Sequence, residues 1–237
     1  MKELTEITIY SLFAGLTIFI GGLIASAFEK HVKKTIESYI LHWTIALGGG
    51  ILIAAIAFVL TPKGIEIFSI FTFSIIFLSG AIVFFFLDKI IEKKGGLFAQ
   101  AMAMLLDFIP EAIALGAIFS HNHNLGKLLA LFIGLQNIPE SFNAYFDLRK
   151  NNQSPKKIVI LFFMLSFLGV FCAFAGKYFL SEQVEIANAI MLFCAGGILY
   201  LIFQDIAPLT KIKKHWEPAL GAALGFLIGM IGVKIFG

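Results

Sequence analysis

Apolar stretches of about 20 residues recur from one end of this 237-residue chain to the other. That is the length a helix needs to cross the hydrocarbon core of a bilayer. Lipid offers no partner to backbone N–H and C=O groups, so such stretches are confined to helices that satisfy their own. Eight segments qualify, at about residues 7–28, 40–60, 65–91, 97–120, 126–148, 158–180, 186–206 and 217–236. The expected fold class is all-α: a polytopic membrane protein of eight transmembrane helices, a single transmembrane domain over 1–237. Composition agrees, with 59% hydrophobic residues against about 45–50% in soluble domains. The first segment ends in Ala25-Ser26-Ala27, which looks like a signal-peptidase site. It is longer than a signal h-region and follows acidic Glu3 and Glu6, so a retained first helix is expected.

Charge orients the bundle. Of the 18 Lys and Arg, thirteen fall in the links after the first, third, fifth and seventh segments. Lys2, Lys63, Lys127, Lys177 and Lys234 make up the other side. Basic residues favour the cytoplasmic side, so a multi-pass protein of the cell membrane with both termini outside the cytoplasm is expected. The net charge of +3 is accounted for by these loops, and no nucleic-acid partner is expected. The lipid bilayer is an expected partner, and a homodimer is compatible with the chain. Cys172 and Cys194 lie inside apolar segments and read as buried thiols, with neither a disulfide nor a zinc site implied.

Two short stretches interrupt the apolar pattern: Asp107-Phe108-Ile109-Pro110-Glu111 and Gln136-Asn137-Ile138-Pro139-Glu140. Each lies near the centre of its segment. Positions i and i+4 share a helix face, so Asp107 pairs with Glu111 and Gln136 with Glu140. Pro110 and Pro139 lack an N–H, which frees the carbonyls of Leu106 and Leu135 and predicts a kink in each helix. Ionised side chains at mid-membrane are expensive and mark functional sites. The plainer reading is a pair of kinked helices tied together by buried polar groups. The sharper one is a cation held by Asp107, Glu111, Gln136 and Glu140, whose charge would offset the carboxylates. Oxygen ligands suit Mn²⁺, Mg²⁺ or Fe²⁺; Zn²⁺ also accepts carboxylates.

The doubled Pro-Glu pattern resembles the two central helices of the ZIP (Zrt/Irt-like) family of divalent metal transporters. That family shows His-Asn-x-Pro-Glu-Gly in its fourth span and a His- or Gln-led x-x-x-Pro-Glu in its fifth. Asp107 stands at the place of the first His, Phe108 at that of Asn, and Glu111 at that of Glu. Gln136 and Glu140 match ligand positions, and Asn137 takes the place of a second-site ligand. The resemblance implies uptake of divalent cations (Zn²⁺, Fe²⁺, Mn²⁺, Mg²⁺ or Cd²⁺, not distinguished) as substrate, toward the cytoplasm.

Further polar residues extend the pattern. Asn143 and Asp147 follow Glu140 at i+3 and i+7, and Gln100 precedes Asp107 by seven, all toward the expected cytoplasmic side. They read as a second site or exit path, as do Gln204 and Asp205, which otherwise mark the interface. Asp88, beside Lys89, reads as interfacial. Leu115, Ile118, Leu129, Phe132 and Ile133 form an apolar stretch toward the outside. His121 and His123, in the expected outer loop, are candidates for outer capture of metal. Gly49-Gly50-Ile51-Leu52 with Pro62, and Gly196-Gly197-Ile198-Leu199 with Pro208, suggest an inverted repeat. It would relate helices 1–3 to 6–8 around central helices 4 and 5, an arrangement common in secondary transporters. Rival classes are an intramembrane acid/base enzyme and a metal-binding membrane sensor. No Gly-x-x-x-x-Gly-Lys-Ser/Thr stretch is present, so ATP hydrolysis by this chain is not expected, and it is read as no enzyme. In intact cells an impermeant thiol reagent should label Asn122→Cys and leave Gly95→Cys unlabelled; the reverse pattern overturns the orientation.

Overall fold

The computed structural model describes residues 2–32, 34–94, 96–211 and 216–236; the side chains of residues 2, 34, 35, 37, 94, 98 and 100 lie outside this description. Several basic residues behind the orientation therefore lie outside it: the side chains of Lys2, Lys34 and Lys94, and all of Lys33, Lys213 and Lys214. Among the described residues the regular structure is helical, with no strand. The elements are α1 (Lys2–His31), α2 (Lys34–Ala55), a π-helical segment (Ile56–Leu60), α3 (Pro62–Ile67) and α4 (Ile70–Lys94). They continue with α5 (Gly96–Phe119), α6 (His123–Lys150), α7 (Pro155–Ser166) and α8 (Leu168–Leu180). The last are α9 (Val184–Leu201), a second π-helical segment (Ile202–Ile206), α10 (Ala207–Leu209) and α11 (Pro218–Phe236).

Seven helical stretches are long and apolar enough to cross a membrane: Glu3–His31, Ser38–Ile67, Ile70–Lys93, Ala101–Phe119, Pro155–Leu180, Val184–Leu209 and Pro218–Phe236. The protein is thus an all-helical membrane protein. The eighth long helix, α6, has 28 residues but is too polar to stand on hydropathy, because Gln136, Asn137, Glu140, Ser141 and Asn143 crowd its middle. It packs against α1, α2 and α5, with smaller contacts to α11. Most of its face is buried, so its polar middle is kept from lipid by neighbouring helices, as polar membrane helices require.

The second segment does not end at Pro62, as the sequence pattern suggested. Pro62 instead opens α3, and the chain first turns at Phe68, whose backbone is extended (φ −96°, ψ 149°). The reason is local. Pro is well placed at the first position of a helix, where its missing N–H is no loss, and the preceding π turn carries the chain into it. Ser69 then accepts from the Thr72 N–H at 3.2 Å to start α4. The same device recurs at Pro208, directly after the second π segment. Elsewhere Asn122 caps α6 by accepting from Leu125 N–H at 3.0 Å. Asn152 takes the left-handed conformation (φ 58°) that turns α6 toward α7.

Four helix pairs carry the closest packing: α2 with α11, α1 with α6, α4 with α9 and α5 with α8. Small residues set these approaches, as expected where lipid supplies no hydrophobic drive between helices. A side chain on Gly80 would overlap the Phe193 carbonyl, and one on Gly196 the Phe77 carbonyl. Gly116 and Gly176 lock α5 to α8 in the same reciprocal way, against the carbonyls of Ala173 and Ile113. At Gly64, by contrast, an added Cβ would meet only the Leu192 side chain, at 3.2 Å. Gly116→Ala should therefore lower stability by about 1–3 kcal/mol, while Gly64→Ala should be near neutral. Thermal unfolding of the purified variants in detergent checks this.

Candidate metal centre

Asp107 and Glu111 lie on α5, and Gln136 and Glu140 on α6; both helices run on through Pro110 and Pro139. The i, i+4 spacing puts each pair on one face, and packing of α5 on α6 turns the two faces together. The Gln136 Nε2 donates to Glu111 Oε2 at 2.7 Å. Asp107 lies within electrostatic range of Glu111, and Glu140 within range of both. Asp107 Oδ1 accepts from the Phe108 N–H at 2.8 Å. Glu111 is 1% exposed and Gln136 2%. Glu140 is half-buried, its remaining exposure being to the cavity it lines.

That cavity, of about 180 Å³, reaches Asp107, Gln136 and Glu140 from one end of the bundle. From α2 it is lined by Ile45, Gly48, Gly49 and Leu52, and from α9 by Ile198 and Leu201. Asn143 and Asp147 continue it along α6, with Asp205 and Asp88 beside them. In the opposite direction Leu115, Ile118, Leu129, Phe132 and Ile133 are all buried. The cavity is therefore open on the polar side and closed on the apolar one. Leu106, whose carbonyl Pro110 leaves without an N–H, also lines it.

Two buried acceptors at this site have no hydrogen-bond partner: Gln136 Oε1 and Asn143 Oδ1. An unsatisfied buried oxygen costs about 1–3 kcal/mol, so both call for a cation or water in the cavity. None of the ion pairs among the described residues involves Asp107, Glu111 or Glu140. Among the described residues no three His, Cys, Asp or Glu side chains stand close enough to enclose a metal as they are placed. Closing on an ion thus requires the carboxylates to move inward and amide or backbone oxygens to complete the shell. Oxygen-rich, mobile sets of this kind suit divalent ions.

The other sequence candidates are distributed differently. Asn137 is buried, and its Nδ2 donates to the Ala14 carbonyl at 2.9 Å, which ties α6 to α1. Asn143 Nδ2 donates back to the Pro139 carbonyl at 2.7 Å, leaving its oxygen to the cavity. Asp147 pairs with Lys150 at 2.9 Å. Gln204 is exposed and outside the cavity lining, unlike its neighbour Asp205. The Gln100 side chain lies outside the described residues. His121 contacts the Ser181 carbonyl, and His123 Nδ1 pairs with Glu6 at 3.0 Å, so both histidines are engaged in joining helix ends. Two residues were not anticipated. Asp88 on α4 lines the cavity and accepts from Tyr200 OH at 2.9 Å. Cys194 on α9 is fully buried, within electrostatic range of Glu111 and Asp107. Neither had a local signal, because each comes from a span other than the two that carry the motifs.

No protein-family model matches this chain, and a search of curated proteins finds no similar sequence. The Gln136–Glu111 bond is open to direct test. Gln136→Leu should destabilise the protein by about 1–3 kcal/mol or more, since it strands a buried carboxylate. Adding Glu111→Leu should recover much of that loss, a non-additivity read from thermal unfolding of the two single variants and the double.

Proposed function

We propose that this protein is a secondary membrane transporter that moves divalent metal cations toward the cytoplasm. The observation that carries the reading is the group Asp107, Glu111 and Glu140. These carboxylates lie mid-helix with no basic partner among the described residues, at the closed end of a one-sided cavity where Gln136 offers an unpartnered oxygen. Uncompensated charge in a membrane interior is retained where a mobile cation balances it. A cation entering the cavity meets Asp205, Asp88 and Asp147 at the mouth and Glu140, Gln136 and Asp107 at its end. α6 then serves as the eighth span, and the direction of transport follows from the resemblance to the ZIP family.

The helix pairings support an inverted repeat. Exchanging spans 1–3 with 6–8, and 4 with 5, turns the pair α1–α6 into α8–α5 and the pair α2–α11 into α9–α4. These are the four closest pairs. The π segment before a proline recurs in the second and seventh spans, as the same exchange demands. Site and alternating access then follow the logic of other repeat-built transporters, with the substrate at the repeat interface.

The test is uptake into proteoliposomes from a panel of Zn²⁺, Fe²⁺, Mn²⁺, Mg²⁺ and Cd²⁺, with binding measured on the purified protein. Saturable uptake of at least one ion is expected. Glu111→Gln and Glu140→Gln should each weaken binding strongly, and together by less than the sum, since both act on one ion. Asp107→His should move preference toward Zn²⁺. Binding without uptake indicates a sensor, and no binding of any ion removes the proposal.

A further inference from the structure

Cys194 enters the site from a third helix, and its place relative to the cavity gives it a role. Ile198 and Leu201 line the cavity from α9. They lie four and seven residues beyond Cys194, so the three share one helix stripe. Asp107 lines the cavity from α5, and Glu111 lies one turn further along the same face. The cavity ends between these levels: Asp107, Gln136 and Ile198 line it, while Glu111 and Cys194 do not. Both are fully enclosed, at 1% and 0% exposure, and they are electrostatic neighbours. Glu111 and Cys194 thus lie one turn beyond the cavity-lining residues Asp107 and Ile198 of their own helices. Gln136 joins the two levels. Its Nε2 donates to Glu111 at 2.7 Å, its Oε1 is buried and without a partner, and the residue lines the cavity.

We infer that Cys194 is a soft ligand of the same cation site, engaged when an ion advances past Gln136 to Glu111, and that it sets a preference for thiophilic divalent ions. This rests on the cation-transport reading. The chemistry follows from ligand type: a carboxylate and amide site alone favours hard ions, whereas one sulfur ligand favours ions such as Zn²⁺ and Cd²⁺. On coordination the sulfur exchanges its proton for the metal, and the proton passes to water in the cavity. Cys172, on α8, is only partly buried.

The experiment uses the full chain in detergent with Cys172→Ser, so that Cys194 is its one cysteine. Titration with Cd²⁺ should raise a thiolate-to-cadmium charge-transfer band and protect Cys194 from a small thiol reagent. Mn²⁺ should bind without that band. Cys194→Ser should weaken Cd²⁺ binding about tenfold or more, since losing a ligand exceeds the loss of an outer-shell partner, and weaken Mn²⁺ binding by less. Cd²⁺ binding with no band and no protection overturns the role of Cys194 while the transport reading stands. No binding of either ion overturns both. The band and the protection are read with Cys194 in place, so they decide the matter even if Cys194→Ser folds poorly.

Discussion

The structure depends on keeping three carboxylates inside a helical membrane bundle without a basic residue to balance them. Burial of an ionised group in low dielectric is costly, and lipid offers nothing to reduce it. The bundle reduces it in three ways. α6, the most polar helix, is placed among α1, α2 and α5 and away from lipid. Glu111 and Asp107 accept hydrogen bonds from Gln136 and the Phe108 backbone. Glu140 faces a cavity that opens toward one end. What these measures leave over is a set of carboxyl oxygens and two unpaired amide oxygens, and these are what a cation would meet.

Holding such a site needs helices that approach closely and stay in register. Packing between membrane helices relies on small residues and interhelical polar contacts, and this chain uses both. Glycines bring α4 against α9 and α5 against α8 until backbone meets backbone. Polar contacts fasten α1 to α6 along its length, with Glu6–His123 near one end and Asn137 on Ala14 in the middle. At the far end Glu29 accepts from both Tyr145 OH and Arg149 Nε. Asn137 illustrates the economy of the arrangement. Its position beside Gln136 suggests a ligand, yet it points around the helix by about 100° and so meets α1.

Seven of the eight expected spans and the two Pro-Glu motifs were legible in the sequence because both depend on short-range rules. A span needs about 20 apolar residues, and residues four apart share a helix face. Those rules pair Asp107 with Glu111 and Gln136 with Glu140, and packing of α5 on α6 then brings Asp107, Gln136 and Glu140 to one cavity. The same rules misplace the end of the second segment, since Pro62 reads as a breaker and is used as a helix start. They also cannot rank one polar residue against another: Asp205 lines the cavity and Gln204 does not, although both are polar and adjacent.

By itself, then, the sequence determined the helical class, the membrane setting and the pairing of oxygen-bearing side chains within α5 and within α6, all properties of one helix at a time. Only the tertiary structure decided which helices shelter α6, on which side the cavity opens, that Asn137 is taken by α1, and that Asp88 lines the cavity. Those outcomes depend on contacts between spans up to more than a hundred residues apart. Such contacts are set by glycine approaches and interhelical hydrogen bonds, for which no local periodicity exists.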